Sequence, residues 1–442
     1  MSLLIPVETG ADEFDDFVVT EFELGDNNYF ILSNKREPTE KIRVLFPFEC
    51  KDIAAPYTVQ TYLFKNKHVS QNDVIELKIS PLEKVEIKKE EGKKDKVKSF
   101  RIGYIFMLNA LLEPENSPFN EHTFSFAYYA FEKLVSGEAS CKPKIPHEKK
   151  DEYNLADFYE TELSCVVICD QNTESVQGFN FEHYLFDLFL YGFSYVMDQN
   201  KKIRINNSAF IADKFETIKS TSSVDKQGLN ITKAPFTQSE ISYPITLIKS
   251  LISEESHFLT RFHTLYQVFE MLIDDILKSE IKLQICAGTE DLPGHKLKEK
   301  VSKLATEGYR VNLLITRYSK TSTELTLPLT EKLREVLTHI NPLYQESGEQ
   351  EPRTEVDDTE NGEDKTEIQA TKLAGLIVKL RNDLVHNYRS LHSDPLKRSV
   401  KELLVTDIVD DLELVCCEVL ISFGRQERRK IVPQERTSIA VD

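Results

Sequence analysis

The chain has 442 residues, 40% of them hydrophobic and 29% charged, with a formal net charge of −18. That length exceeds one ordinary core and calls for two domains or three. The acidic balance excludes a constitutive coat for DNA or membrane, because a uniformly negative surface is repelled by both, but it leaves room for a local basic site.

The start, Met1-Ser2-Leu3-Leu4-Ile5-Pro6, has neither a basic segment nor a long apolar stretch, so no signal peptide and a cytoplasmic protein are expected. Alternation of apolar and polar residues then predicts strands at Phe17–Leu24 and Tyr29–Leu32, separated by the turn Gly25-Asp26-Asn27-Asn28. Further strands are predicted at Ile42–Phe46, Thr58–Phe64, Val74–Ile79 and Phe100–Phe106. Between Glu83 and Lys98 lysine and glutamate alternate around Gly92, which reads as an exposed hairpin tip. Cys165 and Cys169 lie in an apolar strand-like run, and no pair of the seven cysteines has zinc-knuckle spacing. Reduced, buried thiols are the simplest expectation.

Aromatic density peaks over Phe181–Tyr195, a stretch compatible with a strand pair, a buried helix or a docking surface, with core packing favoured. Residues 201–229 turn polar and carry further short strand signals. A domain boundary is expected between Gln238 and Pro244, giving a β-rich domain over 1–240 and a helical domain over 244–442.

Beyond that boundary the apolar period changes from two to about 3.6. Phe258, Phe262, Leu265, Tyr266, Phe269, Ile273 and Ile276 predict a long amphipathic helix. Shorter helices are predicted at Lys296–Thr306 and Leu329–Ile340. Residues 346–367 are dominated by Glu and Asp and offer almost nothing to bury, so they read as a flexible acidic insertion. Two more helices are predicted at Gln369–Asn387 and Asp407–Phe423, the second with the stripe Ile408, Leu412, Val415 and Val419. A basic tail follows, with Arg425, Arg428, Arg429, Lys430 and Arg436. The fold class is therefore α+β, with a β-rich N-terminal domain followed by a helical bundle.

The helix around Arg381 carries the chemistry. On a wheel with Leu373 at zero, Leu373, Ile377, Leu380 and Leu384 fall within about 60° and form a core face. Asn382, His386 and Arg389 fall near roughly 180°, 220° and 160°, away from that core, and Arg381 near roughly 80°, on its flank. Other histidines, among them His257, His263, His339 and His392, show no ligand spacing with nearby carboxylates, so no metal site is expected.

A long amphipathic first helix followed by a helix bearing Arg381-Asn382-x-x-x-His386 resembles the ribonuclease-type members of the HEPN superfamily of helical bundles. The resemblance covers about 200 residues at the C-terminus, and β-rich regions ahead of such domains occur in bacterial abortive-infection proteins. It implies a HEPN-like fold for 244–442, with Arg381, Asn382 and His386 as catalytic residues and Glu270 on the first helix as an acidic support. It also implies an endoribonuclease that needs no metal or cofactor and acts in anti-phage defence or as a toxin.

These residue types suit that chemistry. RNA carries its own nucleophile, the 2′-hydroxyl, beside the phosphate. Histidine exchanges protons near neutrality, and arginine offers permanent charge and planar donors to phosphate oxygens. His386 is assigned acid/base work, Arg381 phosphate stabilisation, and Asn382 and Arg389 support, with 2′,3′-cyclic phosphate ends as product. Arg381 and His386 stand about 140° apart around one helix and do not grip one phosphate from the same face. A homodimer through the C-terminal domain, with paired helices, is therefore expected, and the resemblance points the same way. Transfer, messenger and ribosomal RNA all remain open as substrate. The basic tail either tracks an RNA backbone or is disordered. The N-terminal domain is expected to sense a trigger of phage origin or restrain the nuclease. The competing reading is a non-catalytic HEPN module that binds RNA, nucleotide or a protein partner.

Overall fold

In a computed structural model, residues 2–7, 13–48, 59–79, 99–116, 118–170, 180–221, 228–234, 242–254, 257–281, 293–319, 322–340, 372–384 and 395–431 are described. The hairpin tip expected at Glu83–Lys98 and the acidic insertion at 346–367 lie outside the described residues. The chain has an α+β layout, strands first and helices after, as its changing period predicts. It divides into two compact units: Met1–Asn206 with Ile211–Lys233 and Ile245–Glu255, and Asn207–Phe210 with Ala234–Pro244 and Ser256–Asp442. The boundary region expected at 238–244 ends where the chain passes from the second unit to the first.

The first unit is built on two sheets. Strands β1 (Leu3–Pro6), β2 (Phe14–Glu23), β3 (Asn28–Asn34), β4 (Lys41–Phe46) and β8 (Glu152–Tyr153) form one of them, in the order β1-β2-β3-β4-β8. The other runs β10-β5-β9-β7-β6-β11, from β5 (Val59–Lys65), β6 (Val74–Ile79), β7 (Phe100–Met107), β9 (Ser164–Asp170), β10 (Ser194–Tyr195) and β11 (Gly228–Ile231). Between β7 and β9 the backbones approach so closely at Gly103 that a Cβ there would sit 1.9 Å from the Ile168 carbonyl oxygen, so only glycine fits.

Helix α1 (Glu121–Val135) packs Phe126, Ala127, Phe131 and Leu134 into a core shared with both sheets. The strand-dominated reading of the first half missed this helix. Its start was legible: the Asn120 side chain accepts from the Thr123 backbone, and the Thr123 hydroxyl accepts from the Asn120 backbone, a reciprocal cap.

Two short helices follow in this unit, α2 (Leu155–Phe158) and α3 (Leu185–Phe189). The aromatic stretch 181–195 resolves into a tight 3-10 turn, α3 and β10, and it is core. Phe181 stacks on Tyr62 at 4.0 Å, and Tyr195 meets Phe64 at 5.2 Å. Residues 209–221 correct the expectation of short strands, because they form helix α4 (Ala209–Thr221) and the only strand described between 201 and 231 is β11. Ile211 and Phe215, one helical turn apart, are both buried, a spacing that a strand reading overlooks. The described cysteines Cys141, Cys165, Cys169, Cys416 and Cys417 are free and buried. Burial pushes the Cys141 thiol up to about 12, which keeps it protonated and unreactive.

Helix α5 (Ser242–Thr246) leads to the second unit's long helices: α6 (Phe258–Ile281), α7 (Gly294–Ala305), α8 (Glu307–Tyr318), α9 (Ser322–Ile340), α10 (372–384) and α11 (Pro395–Ile431). The helix α8 was not predicted, although Val311, Leu314, Ile315 and Tyr318 recur at helical steps and are buried. The last helix is longer at both ends than the expected 407–423, and it opens on Pro395, whose fixed φ suits a first helical position. Its predicted stripe of Ile408, Leu412, Val415 and Val419 is buried throughout. No helix among the described residues is long and apolar enough to cross a membrane.

Candidate functional site

Helix α6 has two faces. Phe262, Leu265, Phe269, Ile273 and Ile276 are buried on one, at the three- and four-residue steps that stack side chains. Half-buried His263 and exposed Gln267, Glu270 and Asp274 form a polar stripe on the other. Tyr266 borders the stripe, its ring buried and its hydroxyl donating to Glu307 Oε1 at the start of α8, at 2.6 Å.

Helix α10 sorts its side chains the same way. Leu373, Ile377, Leu380 and Leu384 are buried, and Asn382, on the opposite side of the wheel, is exposed. Arg381 lies on the flank, half-buried.

The polar edges of the two helices meet at Arg381. Its Nη2 lies 3.4 Å from Glu270 Oε1, and its Nη1 donates to Asn382 Oδ1 at 3.0 Å. The guanidinium carbon sits 5.4 Å from the centroid of the Tyr266 ring, within cation–π range. Arg381, Asn382 and Glu270 are thus brought together from positions 111 residues apart in the chain. The aromatic ring, the carboxylate and the neighbouring amide restrict where the guanidinium points.

Sequence reasoning overlooked two members of this cluster. Burial, and then the positive charge of Arg381, hold the His263 imidazole below the usual histidine range, while Glu270 acts in the opposite direction. His263 shares the polar stripe of α6 with Glu270. The signal was available: His263 and Glu270 are seven apart, two turns on one face of a helix that had been predicted. Tyr266 is the other. Burial and its hydrogen bond to Glu307 raise its phenol, so it stays a neutral donor at the edge of the cluster.

His386 and Arg389 lie outside the described residues. Arg425, Arg428, Arg429 and Lys430 fall on the last turns of α11, but their side chains, and all of Arg436, are also outside the description.

A second charged cluster lies deeper in the bundle. Arg261, near the start of α6, reaches Asp410 at 2.6 Å and Glu413 at 2.7 Å on α11, and all three are buried. Burial works against the Arg261 charge, but Glu413 and Asp410 outweigh it and its pKa rises. The neighbouring Asp411 accepts from the Ser208 hydroxyl at 2.7 Å and pairs with Lys332 of α9 at 2.8 Å. This network pins helices together, and its burial keeps Arg261 from a macromolecular substrate. Among the described residues no group of three or more His, Cys, Asp or Glu side chains is arranged to hold a metal ion.

The chain matches no protein-family model, no curated protein and no solved structure in comparisons with each.

Proposed function

We propose that the protein is an endoribonuclease of HEPN type that cleaves RNA without a metal ion. The 2′-hydroxyl attacks its own phosphate, the bond to the 5′-oxygen breaks, and the products carry a 2′,3′-cyclic phosphate and a 5′-hydroxyl. Arg381 stabilises the crowded phosphorane, Asn382 and Glu270 orient Arg381, and His386 delivers a proton to the leaving 5′-oxygen.

One observation carries this reading. Arg381 is held by Glu270 and Asn382 at a half-exposed helix edge, rather than in the core beside Leu380 and Leu384. Arg261, by contrast, is buried between two carboxylates. Among the described residues one carboxylate meets Arg381, whose side chain is partly exposed, so it keeps donors to offer a phosphate. We propose further that two copies pair through the C-terminal domain, so that each brings its Arg381 to the other's helix. The β-rich unit senses a trigger of phage origin or restrains the nuclease in a bacterial defence system.

The test is incubation of the purified full chain with total RNA in EDTA. Fragments with cyclic phosphate ends that disappear in His386→Ala are the expected result. RNA retention without cleavage would favour a non-catalytic HEPN module. Full cleavage by a form that sedimentation shows to be strictly monomeric would overturn the paired arrangement.

A further inference from the structure

The described part of the cluster contains an imidazole that the Arg381-Asn382-x-x-x-His386 signature does not include. His263 stands on the polar stripe of α6, one turn before Tyr266, whose ring lies under Arg381, and two turns before Glu270, which pairs with Arg381. It is half-buried, so its ring is partly sheltered yet reachable from solvent. The charged groups acting on it are Arg381 from the facing helix α10 and Glu270 from its own helix.

We propose that His263 is the general base of the reaction, taking the 2′-hydroxyl proton while Arg381 of the same subunit holds the phosphate. The inference rests on the nuclease reading above and adds a second proton-transfer residue to it. The division of labour balances. The 2′-oxygen gives its proton to an unprotonated ring nitrogen of His263 and its electron pair to phosphorus. The bond from phosphorus to the 5′-oxygen breaks, and that oxygen takes a proton from His386. One imidazole ends protonated and the other neutral, and a proton exchange through water resets both.

Two features of the surroundings suit His263 to the base role. A base must be unprotonated at the working pH, and both burial and the nearby guanidinium disfavour the imidazolium. Its position is the other: His263 shares the polar stripe of α6 with Glu270, which meets Arg381 from the facing helix.

The experiment uses the full-length wild-type protein first, to map a cut linkage in EDTA by sequencing the fragment ends. Short RNAs containing that linkage are then compared with versions carrying sulfur in place of the 5′-bridging oxygen, a leaving group that needs little protonation. His263→Ala and His263→Gln are expected to lose about 10²-fold or more in kcat/KM, mostly in kcat, and to lose the acidic limb of the pH profile. The sulfur substrate should restore His386→Ala and leave the His263 variants impaired. On the wild type, a non-cleavable 2′-O-methyl RNA should shift the His263 imidazole resonances, a reading that does not depend on any variant folding.

Cleavage by both His263 variants within threefold of wild type would overturn the base assignment and leave the nuclease reading standing. Rescue of the His263 variants by the sulfur substrate would overturn it as well, since His263 would then be the acid. Resonances that ignore the 2′-O-methyl RNA count against it equally. A wild type that cuts no RNA would overturn the nuclease reading and this inference with it, whereas full activity in His386→Ala would overturn the pairing of His263 with His386, and so this inference, while the protein remained a nuclease.

Discussion

Arg261 and Arg381 both reach from one helix to a carboxylate on another, yet they stand in opposite situations. The Arg261 side chain is 3% exposed and lies between Asp410 and Glu413, whose side chains are 8% and 0% exposed. The Arg381 side chain is 31% exposed and, among the described residues, meets one carboxylate, Glu270, that is itself 45% exposed. In a sheltered site a charge without its partner is expensive, so the first cluster is bound into the stability of the bundle. In water the same pairing contributes only about 0 to 1 kcal/mol. An arginine paired this way still has donors for a phosphate while Glu270 and Asn382 orient it. Burial, more than the presence of an ion pair, therefore separates the structural arginine from the one available for chemistry.

The largest expected effect comes from breaking the buried cluster. Arg261→Met keeps the volume and leaves two buried carboxylates without their cation, which should cost about 3 to 5 kcal/mol. Denaturant titration of the full chain reads this as a lower midpoint for the helical unit. Adding Asp410→Asn and Glu413→Gln to the same chain should recover much of the loss, because the stranded charges are gone. A single variant within about 1 kcal/mol of wild type would break the comparison, since Arg261 would then be no more structural than Arg381.

Next in size is Arg381→Gln. Losing one preorganised charged donor to a phosphorane should lower cleavage by about 10² to 10³, or about 2.7 to 4 kcal/mol in the barrier. Its denaturation midpoint should stay close to wild type. Stability and activity thus respond in opposite patterns for the two arginines, and a large stability loss in Arg381→Gln would place it with Arg261.

How much of this was legible before the structure follows from the kind of signal each part leaves. The faces of α10 were readable because Leu373, Ile377, Leu380 and Leu384 repeat at one period within a single element. The six strands predicted in the first half were found for the same reason. Long-range pairings leave no such trace: nothing in the spacing of Arg261, Asp410 and Glu413 announces that they meet. The juxtaposition of Glu270 and Arg381 was expected only through a family resemblance. His263 was set aside as a lone histidine because it was weighed for metal spacing and not against the guanidinium that α10 brings near it. Helix α8 escaped because Asn312 and Thr316 interrupt its apolar run, yet its first residue, Glu307, fixes the Tyr266 hydroxyl beside the cluster.

The smallest effect is also the sharpest probe of the exposed cluster. Glu270→Gln should change stability by no more than about 1 kcal/mol, as expected of an exposed pair. It should nevertheless move the His263 titration, measured by imidazole resonances against pH. Glu270 is the group that raises this pKa, so its removal should lower it further, whereas Arg381→Gln should let it climb towards its ordinary value of 6.5. The pH dependence of stability follows in sign. A histidine with a depressed folded pKa binds fewer protons folded than unfolded, so its contribution is intact above about pH 6.5 and is lost as the pH falls below that value. The loss between pH 8 and pH 5 should therefore grow in Glu270→Gln and shrink in Arg381→Gln. Opposite shifts in the two variants would show that His263 feels both charges across the α6–α10 pair. An unchanged titration in both would separate His263 from the cluster and return Arg381 and Glu270 to an isolated surface pair.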